Sequence, residues 1–203
     1  WELALVAQGS ELALGAHQVV YSAYYNRLRA ISGVDGAVLW TRDLGSSRQL
    51  VHPTVAADGT VIVSQPAYAL YGVAPEDGAL IWSCPGSPSG GFAPGADGLV
   101  YYFDTDRLIA FDPAHAEVGS CPEAWAYTFE GAVFGGTWSV IDDVVVGADE
   151  TVFVISPGFG VAAVRDGELL WVWSGHMPTR MLVGAGDVLY VATSDGRIVG
   201  LEG

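Results

Sequence analysis

Short apolar runs, separated by polar turns, follow one another along the whole chain. A first set of β-branched and aromatic runs covers residues 19–22, 61–64, 99–102, 152–155 and 188–191. A second set, with Ala or Gly in third place, covers residues 28–31, 70–73, 108–111, 161–164 and 198–201. Continuous apolar runs of this length are typical of strands buried on both faces. No stretch shows the apolar recurrence of a helix, so the pattern predicts almost no helix.

Tryptophan marks the end of each repeat. Trp40, Trp82 and Trp171 each follow a glycine by four residues, and Trp125 closes a degenerate version of the same phrase. The four tryptophans are 42, 43 and 46 residues apart, and Trp1 precedes Trp40 by 39 residues. Self-similarity at a period of about 40 residues indicates a repeat architecture.

Each repeat has the pattern of four strands joined by tight turns. Asp-Gly and similar pairs, such as Asp58-Gly59 and Asp97-Gly98, suit the positive φ angles of hairpin turns. Four-stranded antiparallel units of this length are the blades of a β-propeller. We therefore predict one propeller domain over residues 1–203, with units of about 2–40, 41–82, 83–125, 126–171 and 172–203. The small residue of the third strand is expected to let the adjacent blade approach, and each Trp to fill the wedge between blades.

The last unit has no closing Trp phrase, whereas the chain opens with one. We predict five blades, with the strand at Trp1 completing the last blade, because closure removes the two open sheet edges. The alternative is a fragment of a seven- or eight-bladed ring. The chain begins without an initiator Met or a signal sequence, which is expected of a processed protein or of a fragment.

The phrase "L-x-A-hydrophobic, then G-x-x-x-W" resembles the PQQ-like repeat of the quinoprotein-type propellers. It is present in residues 28–40 and 70–82 and partly in 108–112. The resemblance implies the fold over nearly the whole chain and little about function, because this repeat serves many roles. The WD40 repeat is disfavoured, since no Gly-His or Trp-Asp pair recurs at blade spacing.

The resemblance makes the quinoprotein dehydrogenases the class of enzyme with which this chain has to be compared. Quinoprotein dehydrogenases of this family have eight blades, a calcium ion, a catalytic aspartate and, in many, adjacent cysteines. This chain is too short for eight blades and has no Cys-Cys pair. It resembles the non-catalytic branch, so no catalytic residue, cofactor or metal is predicted.

Charge excludes one class of partner. The chain has 23 acidic residues against 8 basic ones, all arginine, for a net charge of −15. Such a surface repels nucleic acid and anionic lipid. No uninterrupted apolar stretch approaches the length of about 20 residues that a spanning helix needs, so we predict no membrane insertion.

Few polar residues suggest chemistry. Cys84 and Cys121 lie near the outer strands of consecutive units, where they would form a disulfide or remain two buried thiols. The histidines occupy different points of the repeat and are expected on solvent-facing loops rather than in a metal site. They are His17, His52, His115 and His176. Asp104 and Asp106 flank a hairpin tip, where an ordinary polar turn is favoured over a cation site. Arg29, Arg107 and Arg197 occupy corresponding places before the third strand, where they would either contribute to an interaction face or serve a structural role.

Aromatic residues mark the candidate interaction face. Hairpin tips supply Tyr24, Tyr25, Tyr68 and Phe159, and inter-blade loops at 83–94 and 128–138 supply Phe92, Phe134 and Trp138. Exposed aromatic side chains are enriched at binding surfaces; the alternative is that their own loops cover them. We expect a non-catalytic interaction or scaffold module with a protein partner, outside the cytoplasm. The alternatives are a propeller that binds a small ligand or carbohydrate, and a fragment of a quinoprotein-like enzyme.

Overall fold

In the described part of the chain, nineteen strands form five antiparallel sheets in chain order. The computed structural model describes residues 11–45, 49–86, 88–104, 106–129, 143–156, 160–175 and 177–202. Within these ranges the helical elements are three short 3₁₀ turns, and no α-helix is present. No described helix has the length and apolar character needed to cross a membrane. The predicted all-β class is confirmed.

Each sheet is a meander whose strands pair with their neighbours in sequence. Sheet 1 contains β1 (Glu11–Leu14), β2 (Val19–Tyr24), β3 (Arg27–Ser32) and β4 (Val38–Asp43). Sheet 2 contains β5 (Val51–Val55), β6 (Val61–Gln65), β7 (Ala69–Val73) and β8 (Leu80–Pro85). Sheet 3 contains β9 (Pro88–Pro94), β10 (Val100–Asp104), β11 (Arg107–Phe111) and β12 (Glu123–Thr128). Sheet 4 contains β13 (Val144–Val146), β14 (Val152–Ser156), β15 (Gly160–Arg165) and β16 (Glu168–Trp173). Sheet 5 has three described strands, β17 (Pro178–Val183), β18 (Leu189–Thr193) and β19 (Ile198–Leu201).

The two sets of apolar runs are the second and third strands of the sheets, as the sequence predicts. Every residue of β6 and β7 is buried, whereas β4 alternates between exposed and half-buried positions. The middle strands of sheet 2 are therefore covered on both faces, whereas β4 lies at the edge of sheet 1.

The small residue of the third strand lies directly opposite the tryptophan of the fourth. The register pairs Ala30 with Trp40, Gly72 with Trp82, Ala110 with Trp125 and Ala163 with Trp171. In all four sheets a register shift follows this pair. We expected the small residue to make room for the adjacent sheet. The structure shows that it makes room for the indole ring of its own sheet.

The chain divides into two compact units. Unit 1 comprises residues 1–88 and 113–122, so it holds sheets 1 and 2 together with the segment that follows β11. Its core is made by β2 and β3 against β6 and β7, with Tyr21, Leu28, Val61 and Val73 among the buried residues. The indole N–H of Trp40 donates a hydrogen bond to the Pro75 carbonyl at 2.9 Å, which attaches sheet 1 to the turn after β7.

Unit 2 comprises residues 89–112 and 123–203 and holds sheets 3, 4 and 5. One cluster packs β10 and β11 against β14 and β15, with Tyr101, Leu108, Val152 and Val164 buried. A second cluster packs the other face of sheet 4 against sheet 5 and includes Met181. Sheet 4 is therefore covered on both faces, as a blade between two neighbours should be.

The connections between the sheets differ from the predicted loops. The predicted inter-blade loop at 83–94 is mostly strand, because β8 extends to Pro85 and β9 begins at Pro88. The predicted closing strand at Trp1 and most of the loop at 128–138 lie outside the described residues.

Candidate functional site

The hairpin tip between β2 and β3 carries two adjacent tyrosines, of which Tyr25 is exposed and Tyr24 is half-buried. Tyr25 has a φ of +48° and is 57% exposed, and its ring meets that of Tyr24 edge-on at 4.9 Å. The Arg29 guanidinium lies 5.5 Å from the centre of the Tyr24 ring, within the range of a cation–π contact. Arg29 therefore supports the tip, which agrees with a structural role.

Backbone hydrogen bonds tie this tip to the chain that leaves the sheet. The Leu44 N–H donates to the Asn26 carbonyl at 2.9 Å, and the Leu50 N–H donates to the Tyr25 carbonyl at 2.5 Å. The Leu50 side chain is 1% exposed and belongs to the core of unit 1. The exposed Tyr25 thus stands on a fixed backbone, which lowers the entropy lost when a partner binds.

Sheet 2 presents Tyr68 in the same way. The tip between β6 and β7 leaves Tyr68 51% exposed, and its carbonyl accepts a hydrogen bond from the Gly86 N–H at 3.0 Å. Beneath it the Tyr71 hydroxyl donates to the Oε1 atom of the buried Gln65 at 3.1 Å. A third such tie joins the Phe129 N–H to the Asp106 carbonyl in sheet 3. The repeat therefore holds its hairpin tips by one recurring backbone contact.

The other predicted face residues do not join this surface in the described structure. Phe92 lies in β9 and is only 8% exposed, so its assignment to an exposed loop is wrong. Phe92 is buried because residues 88–94 form a strand of sheet 3 instead of an exposed loop. Phe134, Trp138 and Phe159 lie outside the described residues.

Cys84 and Cys121 form a disulfide with a Cα–Cα distance of 5.3 Å. The bridge lies within unit 1 because the segment between β11 and β12, residues 113–122, packs there. Next to it the Gly119 N–H donates to the Ser83 carbonyl at 2.9 Å, and Val118 pairs in parallel with Ser83. The segment thus covers part of the outer edge of β8, a role that the sequence analysis did not foresee.

The polar residues considered for metal binding are dispersed. His17, His52 and His115 are exposed and lie in three different elements, whereas His176 lies outside the described residues. The arginines at corresponding places of the repeat are engaged in ion pairs. Arg107 forms a bidentate ion pair with Glu123, and Arg197 pairs with Asp195. In the described parts of the chain, no group of three or more His, Cys, Asp or Glu side chains is placed to hold a metal ion.

In unit 2, Asp97 on the turn before β10 and Glu150 on the turn before β14 form an acidic cluster. The Tyr101 hydroxyl donates to Asp97 Oδ2 at 2.6 Å, and burial together with this bond raises the tyrosine pKa. Burial, followed by the charge of Asp97, also raises the pKa of Glu150. One of its oxygens, Oε2, is buried with no hydrogen-bond partner among the described residues. The carboxylates of Asp97 and Glu150 therefore repel each other at this site.

A cavity of about 650 Å³ lies in unit 2 beside Trp171, between sheets 4 and 5. Its wall combines Phe153 and Trp171 with the carboxylates of Asp149, Asp187 and Glu202. Arg165 is paired with Asp149, and the Ala148 N–H donates to Asp187 Oδ1 at 2.8 Å. The cavity lining therefore combines aromatic, acidic and basic side chains. Sequence reasoning missed it because it depends on what packs against Trp171.

Comparison with known proteins agrees with this architecture. The PQQ_2 family model, described as outer membrane protein assembly factor BamB, matches residues 1–93 and 69–203. A search of curated proteins finds no significant match.

Several solved structures share the fold at low sequence identity. BamB from Moraxella catarrhalis superposes with a TM-score of 0.71 at 19% identity, over 94% of this chain and 57% of that one. Virginiamycin B lyase from Staphylococcus aureus gives a TM-score of 0.70 at 14% identity, over 94% and 68% of the two chains. The WD40 propeller domain of Doa1 gives 0.67 at 11% identity, over 93% and 61%. The chain thus has the β-propeller fold and spans little more than half the length of the BamB structure.

Proposed function

Because the chain belongs to the family of the outer membrane protein assembly factor BamB, we propose that it is a non-catalytic propeller that holds a protein partner. The observation that carries this proposal is the pair of exposed tyrosines, Tyr25 and Tyr68, on hairpin tips fixed by backbone hydrogen bonds. Rigid aromatic anchors of this kind supply much of the binding energy at protein interfaces. The family description names an assembly factor, which favours binding over catalysis.

A location outside the cytoplasm is part of the proposal. Disulfides persist in oxidising compartments and are rare in the cytosol, and Cys84 and Cys121 are joined in this structure. The family description refers to the outer membrane. The net charge of −15 favours a partner whose contacting surface is basic.

Site-specific photo-crosslinking tests this surface. A photoreactive phenylalanine analogue in place of Tyr68 is expected to capture one recurrent protein in cell-envelope extract of the source organism. The same analogue in place of Leu39, which is 54% exposed on β4, is the matched control. The captured protein is then purified, and its affinity is measured for the wild type and for the Tyr25→Ala/Tyr68→Ala variant.

Loss of both tyrosines is expected to weaken binding by about 30-fold, the effect of losing one strong hot spot. Leu39→Ala should leave the affinity unchanged. Equal capture at positions 68 and 39, or unchanged affinity of the double variant, would refute the assignment of this face.

A further inference from the structure

The connection between β11 and β12 is longer than its equivalents in sheets 1, 2 and 4. It covers residues 112–122, whereas the turns between the third and fourth strands of those sheets cover residues 33–37, 74–79 and 166–167. Most of it, the segment 113–122, packs in unit 1, although both strands that it joins belong to unit 2. The connection therefore does more than join two neighbouring strands.

The segment 113–122 is attached to the outer edge of β8 at Ser83. The Ser83 N–H donates to the Glu117 carbonyl at 3.3 Å. The Gly119 N–H donates to the Ser83 carbonyl at 2.9 Å and lies 3.0 Å from the Ser83 Oγ atom. Val118 thereby forms a parallel bridge with Ser83. The segment thus binds both backbone polar groups of Ser83.

The tip of the segment is a turn that closes on itself. The Glu117 N–H donates to the Ser120 carbonyl at 2.9 Å, and the Ser120 N–H donates to the Glu117 carbonyl at 3.1 Å. Gly119 has a φ of +89°, a conformation that glycine adopts without steric cost. Since these contacts lie within the segment, the turn keeps its own hydrogen bonds when it separates from β8.

The segment 113–122 contributes no side chain to the core. None of its residues is buried, and Val118 at its tip is 65% exposed. Burial of apolar surface, the main favourable contribution to packing, therefore does little to hold the segment. Hydrogen bonds at an exposed edge also contribute little, because water replaces them. The covalent bridge between Cys121 and Cys84 is thus the strongest attachment of the segment.

The two cysteines of the bridge differ in exposure. Cys84 lies in β8 and is 3% exposed, whereas Cys121, near the end of the exposed segment, is half-buried. Thiol–disulfide exchange requires that the attacking thiolate reach one of the two sulfur atoms, and exposed bridges are the labile ones. Cys121 therefore provides the point at which an external thiol reaches the bridge.

We propose that the bridge between Cys84 and Cys121 is a site of reversible reduction by a protein dithiol of the thioredoxin type, and that its reduction releases the segment 113–122 from β8. The release exposes the backbone N–H and carbonyl of Ser83 to solvent. The inference goes beyond the proposed function, since it involves neither Tyr25 nor Tyr68.

The exchange takes place in two steps. The thiolate of the reductant attacks the Cys121 sulfur and forms a mixed disulfide, while the bond to Cys84 breaks and Cys84 leaves as a thiolate that takes a proton from water. The second thiol of the reductant, as thiolate, then attacks the reductant's own sulfur in the mixed disulfide, so that Cys121 leaves as a thiolate and is protonated in turn. The reductant is oxidised to a disulfide, and its electrons have passed to Cys84 and Cys121.

A trapping experiment on the folded full chain identifies the attacked sulfur. The probe is a thioredoxin whose second active-site cysteine is replaced by serine, which stops the exchange at the mixed disulfide. We expect a covalent complex, and peptide mapping by mass spectrometry should find its disulfide at Cys121. The Cys84→Ser/Cys121→Ser variant, which has no bridge, is the control and should form no complex.

Proteolysis and hydrogen exchange measure the release of the segment. After reduction by about 1 mM dithiothreitol, a Glu-specific protease is expected to cut after Glu117 at least about tenfold faster than in the oxidised protein. Cleavage after Glu168, an exposed glutamate at the start of β16, is the matched control and should keep its rate. The Ser83 amide should exchange at least about tenfold faster on reduction. The Gly59 amide, bonded to Ala56 in another turn of unit 1, should not change.

Four outcomes would overturn the inference. They are reduction no faster than global unfolding, a mixed disulfide at Cys84 in place of Cys121, unchanged cleavage after Glu117 in the reduced protein, and equal acceleration of cleavage after Glu117 and Glu168. The first and the last would show a purely structural bridge whose loss loosens the whole chain. The second would place the accessible sulfur in β8, and the third would show that the segment stays attached without the bridge.

Discussion

At the scale of single residues, the repeat depends on a match between one very small and one very large side chain. Trp82 is 1% exposed and lies across Gly72, which is itself buried. In the other complete sheets alanine serves the same purpose, so the requirement is for little volume rather than for glycine's φ angles. Tryptophan then provides a broad apolar surface to the neighbouring sheet.

Gly72→Ala is expected to destabilise the protein by about 2–3 kcal/mol, because the added methyl group would overlap a buried ring that has no space to move. Gly200→Ala, at the same register position of sheet 5, should change the free energy of unfolding by less than about 0.5 kcal/mol. Urea unfolding of the two variants measures the difference. Equal effects would show that the tryptophan contact does not restrict this position.

The acidic cluster makes stability depend on pH. Since the pKa of Glu150 is raised above its ordinary 4.5 in the folded state, the folded state favours its neutral form. That contribution is present below the ordinary pKa and is lost as the pH rises through the raised value. Glu150→Gln is therefore expected to raise Tm at pH 7 by about 1 °C and to give no gain at pH 4.

The control for this pH effect is Glu168→Gln, which changes an exposed carboxyl at the start of β16 in the same sheet. It should alter Tm equally little at both pH values. A Glu150→Gln gain that is the same at pH 4 and pH 7 would contradict the electrostatic explanation.

At the scale of elements, the segment 113–122 is attached by covalent as well as hydrogen bonds. The bridge between Cys84 and Cys121 closes a loop with a sequence separation of 37 residues. Loop-closure entropy predicts that such a bridge stabilises the folded state by about 4 kcal/mol.

Cys84→Ser/Cys121→Ser is expected to lower the free energy of unfolding by about 2–4 kcal/mol. Denaturant unfolding measures this, and the wild type in reductant should behave like the variant. Mass spectrometry after alkylation under denaturing, non-reducing conditions checks the bridge itself. Two alkylated thiols in the wild type would show that the cysteines are unpaired.

The recurring tie between the hairpin tip and the chain after the fourth strand is the second element-scale feature. It joins the Leu44 N–H to Asn26, the Gly86 N–H to Tyr68 and the Phe129 N–H to Asp106. The contact uses only backbone groups, so the residues at the tips vary freely. This explains how one repeat places an asparagine at this position in sheet 1, a tyrosine in sheet 2 and an aspartate in sheet 3.

At the scale of the whole molecule, protection of the backbone should follow the packing of the sheets. Amides of β6, β7, β14 and β15 lie in strands covered on both faces and are expected to exchange only through large openings of the structure. The amides of Ile198 and Gly200, at the exposed edge of sheet 5, should exchange at least about 100-fold faster than those of Val161 and Ala163. Hydrogen exchange followed by NMR measures both groups. Comparable protection of the two pairs in the free protein would show that the edge of β19 is already covered.

The sequence by itself determined the repeat, the positions of the second and third strands, and the recurrence of a small residue and a tryptophan in each unit, but only the structure paired the two. The repeat follows from the spacing of 42 to 46 residues between the tryptophans. The strands follow from continuous apolar runs, because a strand buried on both faces must be apolar throughout. Sequence also placed Cys84 and Cys121 close enough to be candidates for a bridge, but left two free thiols as an alternative.

Only the tertiary structure decided what each side chain touches. Phe92 became a core residue, the segment after β11 joined unit 1, and the edge of β19 with Tyr190 and Gly200 remained exposed. The burial of a side chain depends on contacts between elements that are distant in sequence. Adding or removing one turn or strand changes that burial without changing the local pattern of apolar residues. For that reason the strands of each sheet could be predicted from the local sequence pattern, whereas the candidate binding surfaces depended on how the sheets pack.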